Sequence, residues 1–383
     1  MLLAEPIQYS NHDGCASNSS PLLASAPTDC VYTHRLKITE KSVPGYERVL
    51  LAEDAVARYR AILVIHSTAL GPAAGGTRLW QYANDEAALN DALRLARGMT
   101  YKNALAELPF GGGKAVILSN GPIGNREALF RAHGQAIESL KGSYITAEDV
   151  GTSPADMEFI LKETKHVGGL AARSGDPSPH TARGVYRAMQ AAAKHCWGTD
   201  SLKGKTVTIQ GCGHVGEHLA RELHHGSAKL ILTDVDSQRA EKLAAEVKDR
   251  AVKPDEVYSQ AADIFAPCAL GGILNDETIP KLKCAIVCGA ANNQLLDPRH
   301  GDMLQARRVL YVPDYAANAG GIINGACREL MGWSVEQTMN KVEAIYSTIA
   351  EILSISSREG IPPHVAADRM AEARFRPTSA QQR

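Results

Sequence analysis

The chain lacks a charge of either sign in excess. Its 41 basic and 42 acidic side chains leave a formal net charge of −1 over 383 residues. That balance offers no electrostatic footprint for nucleic acid or for an anionic membrane, so neither is expected as a partner. It also lacks any run of about 18 apolar residues, so no helix is expected to span a bilayer. The first residues, MLLAEPIQYSNHDGCASNSS, have no basic start and no long apolar stretch, and they do not read as a secretory signal. The eight cysteines form no paired framework. Cys284 and Cys288 are the closest pair, but no second pair and no His-x-x-x-His accompanies them. They read as small buried apolar residues, and no metal is expected. A reduced, cytoplasmic protein fits best. What remains is ordinary globular composition, 44% hydrophobic and 22% charged, at a length that suggests two domains.

Residues 1–30 are rich in Ser, Asn, Pro and Ala with little periodicity, and they read as a disordered arm. The apolar run Arg60–His66 has strand length and leads into the turn-rich stretch Leu70–Arg78. Asn84 caps a helix whose small and apolar residues, Ala88 to Met99, recur on one face. Gly111–Gly113 breaks the chain before the apolar run Ala115–Leu118. A second amphipathic helix covers about 125–140, and the strand Ser143–Thr146 delivers Glu148 and Asp149 at its end. The chain changes character around Ser174–Pro179, a plausible hinge. Helix and strand then alternate through Thr206–Gln210, Leu230–Asp234, Ala262–Phe265, Ala285–Val287 and Val309–Val312, the pattern of an open parallel sheet. Residues from about 335 onward read as helical and are expected to cross back to the first domain. The fold class is therefore α/β in two domains: a catalytic and oligomerisation domain of 31–177 plus about 336–383, and a Rossmann domain of 178–335.

Gly211-Cys212-Gly213-His214-Val215-Gly216 matches G-x-G-x-x-G. The spacing alone is weak evidence, but here it follows a strand, opens a helix, and precedes Asp234 at the end of the next strand. Gly211 permits the tight turn, Gly213 lets backbone approach a pyrophosphate, and Gly216 lets helix and strand pack closely. The helix N-terminus offers N–H groups to the phosphates. Asp234 would bond ribose hydroxyls and repel a 2′-phosphate, which favours NAD over NADP, although Arg239 nearby keeps the second open.

Three charged residues sit beside glycine or at a strand end. Lys102 lies in Gly98-Met-Thr-Tyr-Lys-Asn103, Lys114 follows Gly111–Gly113 directly, and Asp149 lies in Thr146-Ala-Glu-Asp-Val-Gly-Thr152. One ammonium can hold a substrate carboxylate, while a second, lowered in pKa by burial and by its neighbour, serves the reacting centre. The carboxylate can move protons. Each alone has a plain structural alternative, a solvated lysine or a helix-capping Asp, and Glu148 reads as local scaffolding of that kind.

Leu70-Gly-Pro-Ala-Ala-Gly-Gly-Thr-Arg78, the lysine and Asp149 motifs, and Pro313-Asp-Tyr-Ala-Ala-Asn-Ala-Gly-Gly321 together resemble the leucine, phenylalanine and valine dehydrogenases of the glutamate dehydrogenase superfamily. The match runs from about residue 45 to 335. The resemblance implies reversible oxidative deamination of a hydrophobic L-amino acid to its 2-oxo acid and ammonia, in a homo-oligomer between dimer and octamer. Lys102 and the backbone at Gly75 would bind the substrate carboxylate, Lys114 and Asp149 would be catalytic, and Asn292 would lie between substrate and nicotinamide. Thr181 would support the nicotinamide, and Arg78 and Ala269 join the cofactor residues. By the same resemblance Ala74, Ala147, Ile322 and Gly325 line the side-chain pocket. The leucine enzymes tend to carry leucine at the first and valine at the last, so this pocket is expected to be larger and to accept aromatic side chains such as phenylalanine, with leucine and other branched-chain substrates as the conservative family reading. Glutamate is disfavoured, because all four positions are apolar. Further departures are the longer arm before residue 30 and Gly121 after Asn120. Two other readings are a catalytically silent NAD-binding regulator, against which the intact lysines and Asp149 speak, and a dehydrogenase of another 2-substituted acid, which usually relies on histidine and arginine instead.

Overall fold

The computed structural model describes residues 36–119, 121, 123–170 and 175–376. The arm expected over 1–30, the hinge residue Ser174 and residue Asn120 lie outside them. The first sheet comprises β1 (Lys37–Glu40), β2 (Arg48–Asp54), β3 (Tyr59–Ser67), β4 (Ala73–Ala74), β5 (Thr77–Trp80), β6 (Gly111–Leu118) and β7 (Tyr144–Ile145). Its order is β1-β2-β3-β6-β4-β7, with β5 also on β6. The first three strands and β6 pair antiparallel, whereas β4 and β5 run parallel to β6 and β7 runs parallel to β4.

Alternation along β3 and β6 sorts side chains to two faces, as a period of two requires. Ile62, Val64 and Val116 pack with Ala88, Ala92 and Ala96 of α1 (Asp85–Leu105). Leu63, Ile65, Ala115 and Ile117 pack on the other face with Leu129, Phe130 and Ile137 of α2 (Arg126–Glu138) and Met157 and Ile160 of α3 (Pro154–Leu161). Alanines four apart in α1 let it lie close to the sheet. The approach is tightest at Gly112, where a Cβ would stand 2.0 Å from the Thr100 nitrogen. Asn84 caps α1 by accepting the Ala87 N–H at 2.8 Å. The helix runs on to Leu105, past the periodic stretch that announced it, so Lys102 occupies its last turn, where the helix dipole favours a cation.

The second sheet is wholly parallel, in the order β10-β9-β8-β11-β12-β13. Its elements are α4 (Ser178–Trp197), β8 (Thr206–Gln210), α5 (His214–His225), β9 (Lys229–Thr233), α6 (Ser237–Val247), β10 (Arg250–Ala251), β11 (Ile264–Pro267), β12 (Ile286–Val287), α7 (Arg299–Ala306) and β13 (Leu310–Tyr311). The chain moves outward from β8 to β10 and then returns to the other side of β8 as β11. The crevice beyond the carboxyl ends of β8 and β11 is thus a topological switch point, where α/β sheets bind ligands. After β13 come two short helices, α8 (Asp314–Ala317) and α9 (Gly320–Gly325), and a π-turn over Ala326–Leu330.

The tail forms α10 (Val335–Glu343), α11 (Ile345–Glu359) and α12 (Pro363–Phe375). As expected, it returns to the first sheet. Tyr101 donates its O–H to Glu372 at 2.5 Å, and Arg374 donates to the carbonyls of Ala104 and Leu105 that end α1. One apolar cluster runs from Tyr101 and Leu105 through Ile209 and Leu232 to Ile349 and Phe375. No helix among the described residues is long and apolar enough to cross a membrane.

Two glycines separate close approach from open space. At Gly216 a Cβ would sit 2.0 Å from the Gly211 carbonyl oxygen, whereas at Gly325 it would meet nothing within 4 Å. Gly216→Ala is therefore expected to destabilise the protein by roughly 2–4 kcal/mol. Gly325→Ala, in a helical position, is expected to be neutral or to stabilise by up to about 1 kcal/mol. Thermal and urea unfolding of both variants checks the contrast, and equal effects would contradict it.

Candidate active site

The glycine loop follows β8 and opens α5. Gly211 adopts φ +101°, a conformation that favours glycine, and its N–H reaches the Thr233 carbonyl at 2.8 Å. A Cβ on Gly211 would meet Ala269, which follows β11 across the switch point. Gly213 is the N-cap of α5 and has no side chain to satisfy the first N–H groups, so the helix end faces the crevice with His214, Val215 and Gly216 in its first turn. Asp234 is nearly buried and held by two backbone donors, Cys212 N–H to Oδ2 at 2.7 Å and Asp236 N–H to Oδ1 at 2.9 Å. Arg239 approaches it only to 4.0 Å. Thr181, in the first turn of α4, donates to the Pro177 carbonyl, and its Oγ1 lies where a Cβ on Gly321 would fall 2.8 Å away. A bare helix N-terminus, a glycine cradle and a fixed carboxylate fit a dinucleotide.

Across the cleft, Lys114 of β6 is 5% exposed and places Nζ 2.7 Å from Asp149 Oδ2. Burial pushes the Lys114 ammonium down, against the pull of Asp149. Burial works to raise the Asp149 carboxyl, but Lys114 and Arg78 beside it hold it below the usual carboxylate range. The Asp149 N–H donates to Thr152 Oγ1 at 2.8 Å, and that hydroxyl contacts the Thr77 carbonyl at 3.1 Å, which ties the Asp149 loop to β5. Lys102 is brought down to about 8 by burial, with Asp314 and Asp149 opposing the shift and Lys114 adding to it. Its Nζ donates to Asn292 Oδ1 at 3.2 Å, and Asn318 Nδ2 donates to the same oxygen at 2.7 Å. Helix α1 of the first sheet thus touches the 289–294 loop of the second.

Two of the expected site residues have partners within the first sheet. Arg78, expected among the cofactor residues, is ion-paired there. Its Nε donates to Asp149 at 3.1 Å and its Nη1 to Asp91 at 2.9 Å, and two carboxylates flanking one guanidinium leave it fixed within the first sheet. At Gly75 the N–H is already donated to the Ile145 carbonyl at 3.2 Å, and the carbonyl accepts the Tyr144 hydroxyl at 2.6 Å. That backbone is therefore engaged in strand pairing. A Cβ there would lie 1.9 Å from the Gly113 oxygen, so the need for glycine is steric. Of the pocket positions, Ala74 is buried on β4, Ala147 follows β7, and Ile322 and Gly325 lie on α9. Ala74 and Ile322 belong to one apolar cluster. Sequence reasoning missed Asp91, which also accepts from Tyr82 and Arg94, and the Asn318 bridge. Asn318 lay inside a motif already noted, whereas Asp91 looks like any polar residue of a helix face.

A switch-point glycine loop across a cleft from a buried lysine paired with a partly buried carboxylate defines a nucleotide-dependent dehydrogenase. Residues 46–166 match the family model described as Glu/Leu/Phe/Val dehydrogenase, dimerisation domain, and residues 168–238 and 232–377 match Glutamate/Leucine/Phenylalanine/Valine dehydrogenase. A leucine dehydrogenase of Geobacillus stearothermophilus is 53% identical, with 86% of this chain and 90% of that one covered. The crystal structure of L-tryptophan dehydrogenase from Nostoc punctiforme superposes with a TM-score of 0.79 at 45% identity, covering 86% of this chain and 96% of that one. A hetero-hexameric glutamate dehydrogenase from Thermus thermophilus, 22% identical over 90% of each chain with a TM-score of 0.68, shares the fold. The chain belongs to the Glu/Leu/Phe/Val dehydrogenase family and is an amino-acid dehydrogenase dependent on a pyridine nucleotide.

Arg78 gives a test of how Asp149 is held. With Arg78→Gln, Asp149 loses one of the two cations that keep its carboxyl low, so its pKa moves up. The acid limb of kcat/KM is expected to move to higher pH, while activity at neutral pH, where the carboxyl stays ionised beside Lys114, changes much less. A limb that stays in place would remove Arg78 from this role.

Proposed function

We propose that the chain oxidatively deaminates a hydrophobic L-amino acid with NAD, and reverses that reaction, as a cytoplasmic homo-oligomer between dimer and octamer. The observation that carries the reading is the buried Lys114–Asp149 pair beside Lys102, with apolar side chains at the neighbouring pocket positions. The fixed Asp234 carboxylate at the glycine loop supports NAD, since a 2′-phosphate there would meet a negative charge. The description of residues 46–166 as a dimerisation domain supports self-association. The start of α4 at Ser178 and of α10 at Val335 supports domain limits at 177/178 and 335/336.

In this reading Lys102 pairs with the substrate carboxylate, and Asn292, bonded to it, orients the α-carbon. Asp149 accepts a proton from the substrate ammonium, leaving the amine lone pair free. A nicotinamide cofactor held by the 211–216 glycine loop and Asp234 would supply the acceptor for the α-carbon hydride. Lys114, whose proton burial makes easier to lose, acts as the neutral amine and takes a proton from the water that attacks the iminium carbon, giving a carbinolamine. Asp149, 2.7 Å from Lys114, returns its proton to the carbinolamine amine, and as the C–N bond breaks and the carbonyl forms it accepts the hydroxyl proton, releasing ammonia and the 2-oxo acid. A silent nucleotide-binding protein would have no use for so costly a buried pair.

The side chain bound is apolar, because a charge buried against Ala74, Ala147 and Ile322 would have no partner. Open space at Gly325 supports a pocket larger than leucine requires. Each methylene left unmatched loses roughly 1 kcal/mol, so discrimination against leucine is weak and bulky side chains are accepted.

Lys114→Ala and Asp149→Asn are each expected to lower kcat by about a hundredfold or more. Activity within a fewfold of wild type in a folded variant removes that residue from the mechanism. Initial rates with leucine, valine, phenylalanine, tryptophan and 2-hydroxy acids, each with NAD and NADP, test the whole reading, and Gly325→Val should shift the ranking toward smaller side chains. A strong preference for valine, a ranking that Gly325→Val leaves untouched, or a preference for NADP would each contradict the corresponding part.

A further inference from the structure

Asp314 is a buried carboxylate that the mechanism above leaves unused. It opens α8 directly after β13 and is 6% exposed. Its Oδ2 accepts the Tyr311 hydroxyl at 3.0 Å and the Gln294 N–H at 2.8 Å. Gln294 lies two residues beyond Asn292, and its own amide closes the loop by donating to the carbonyls of Gly289 and Ala291, each at 3.0 Å. Asn318, one turn after Asp314, donates to the Ala290 carbonyl at 3.0 Å and to Asn292 Oδ1 at 2.7 Å. The 289–294 loop is thus pinned by the 314–318 segment at both its middle and its end, and Asp314 is the charged member of that set.

A carboxylate kept in such a place carries a desolvation cost that a neutral amide would avoid. Burial does push the Asp314 carboxyl up, opposed by the Gln294 N–H and by the charge of Lys102. The charged groups that act on Lys102 are Asp314, Lys114 and Asp149. Lys114 and Asp149 are already paired with each other, which leaves Asp314 as the carboxylate not already ion-paired in that group.

We propose that Asp314 is a positioning residue for the substrate carboxylate: bonded to the Gln294 N–H and the Tyr311 hydroxyl, it holds the loop that sets Asn292 against Lys102, and its charge acts on that lysine. This rests on Lys102 as the carboxylate ligand. The carboxylate of one domain thereby sets the binding competence of a lysine in the other.

Asp314→Asn removes the charge while keeping an oxygen for both Oδ2 bonds, so the fold should survive. The binding of 4-methyl-2-oxopentanoate to the full-length enzyme with NADH, without ammonia so that no turnover occurs, reads out Lys102 calorimetrically from pH 6 to 9.5. In wild type Kd should rise with pH above about 8, as the Lys102 charge is lost. In Asp314→Asn that break should move to lower pH by about one unit, raising Kd close to tenfold at pH 8.5 and by less than about twofold at pH 6.5. Asp314→Glu should restore the wild-type break. Tyr311→Phe, which leaves the charge but removes one bond that aims it, should raise Kd severalfold at both pH values, and it serves if the amide variant does not fold. A purely structural Asp314 would raise Kd equally at all pH values with the break unmoved, and that result, or an unchanged Kd in Tyr311→Phe, overturns the proposal. Lys102→Gln separates the two levels. If the break persists there, the role of Lys102 itself fails; if it vanishes there but stays fixed in Asp314→Asn, only the role of Asp314 fails.

Discussion

The Lys114–Asp149 ion pair is the interaction around which the first domain is arranged. A buried ammonium is tolerable only beside a carboxylate, and a buried carboxylate only when its remaining oxygen sites are satisfied. Strand β6 supplies the lysine, the loop after β7 supplies the aspartate, and β5 supplies Arg78 as the second cation. Three separate segments must therefore converge within hydrogen-bond distance. The glycines of 75 and 111–113 follow from that demand, because strands carrying larger side chains could not pass so closely. Arg78 then needs its own second partner, which α1 provides as Asp91, and Asp91 in turn engages Tyr82 and Arg94. The charge is carried outward to the surface in steps, each link neutralising the one before.

The second domain meets this arrangement through one loop. Asn292 is polar, small and uncharged, which suits a side chain shared between two elements. Its two contacts have different origins, one from α1 and one from the turn after α8. The loop is braced from its own side by backbone donation to Asp314 and from its interior by the Gln294 amide. The 289–294 loop is thus braced by hydrogen bonds on its own side and faces charged side chains across the cleft.

Much of this was legible in the chain. The strand Thr206–Gln210 has the limits its pattern suggested, and the glycine loop, Asp234 and the two lysines carry their context with them. Local chemistry explains why, since a glycine turn or a strand-length apolar run needs no knowledge of distant partners. What the sequence left unread has a common cause. The partners of Arg78 and Gly75 depend on β5 and β7, strands of four and two residues whose pairing is tertiary. A two-residue strand such as β7 has no readable period. The mixed first sheet was hidden for the same reason, because parallel addition of β4 and β5 to an antiparallel meander leaves no trace in alternation.

The bond between Tyr101 and Glu372 joins residues 271 positions apart. On the ribosome, α1 emerges long before α12 exists, so the face that Phe375 and Met370 finally cover stays open through synthesis of nearly the whole nascent chain. The Rossmann sheet, whose strands follow one another within short stretches, can form meanwhile. The first domain closes only once the last helix has been made, and that late, long-range docking is the step at which premature termination or crowding would turn folding toward aggregation.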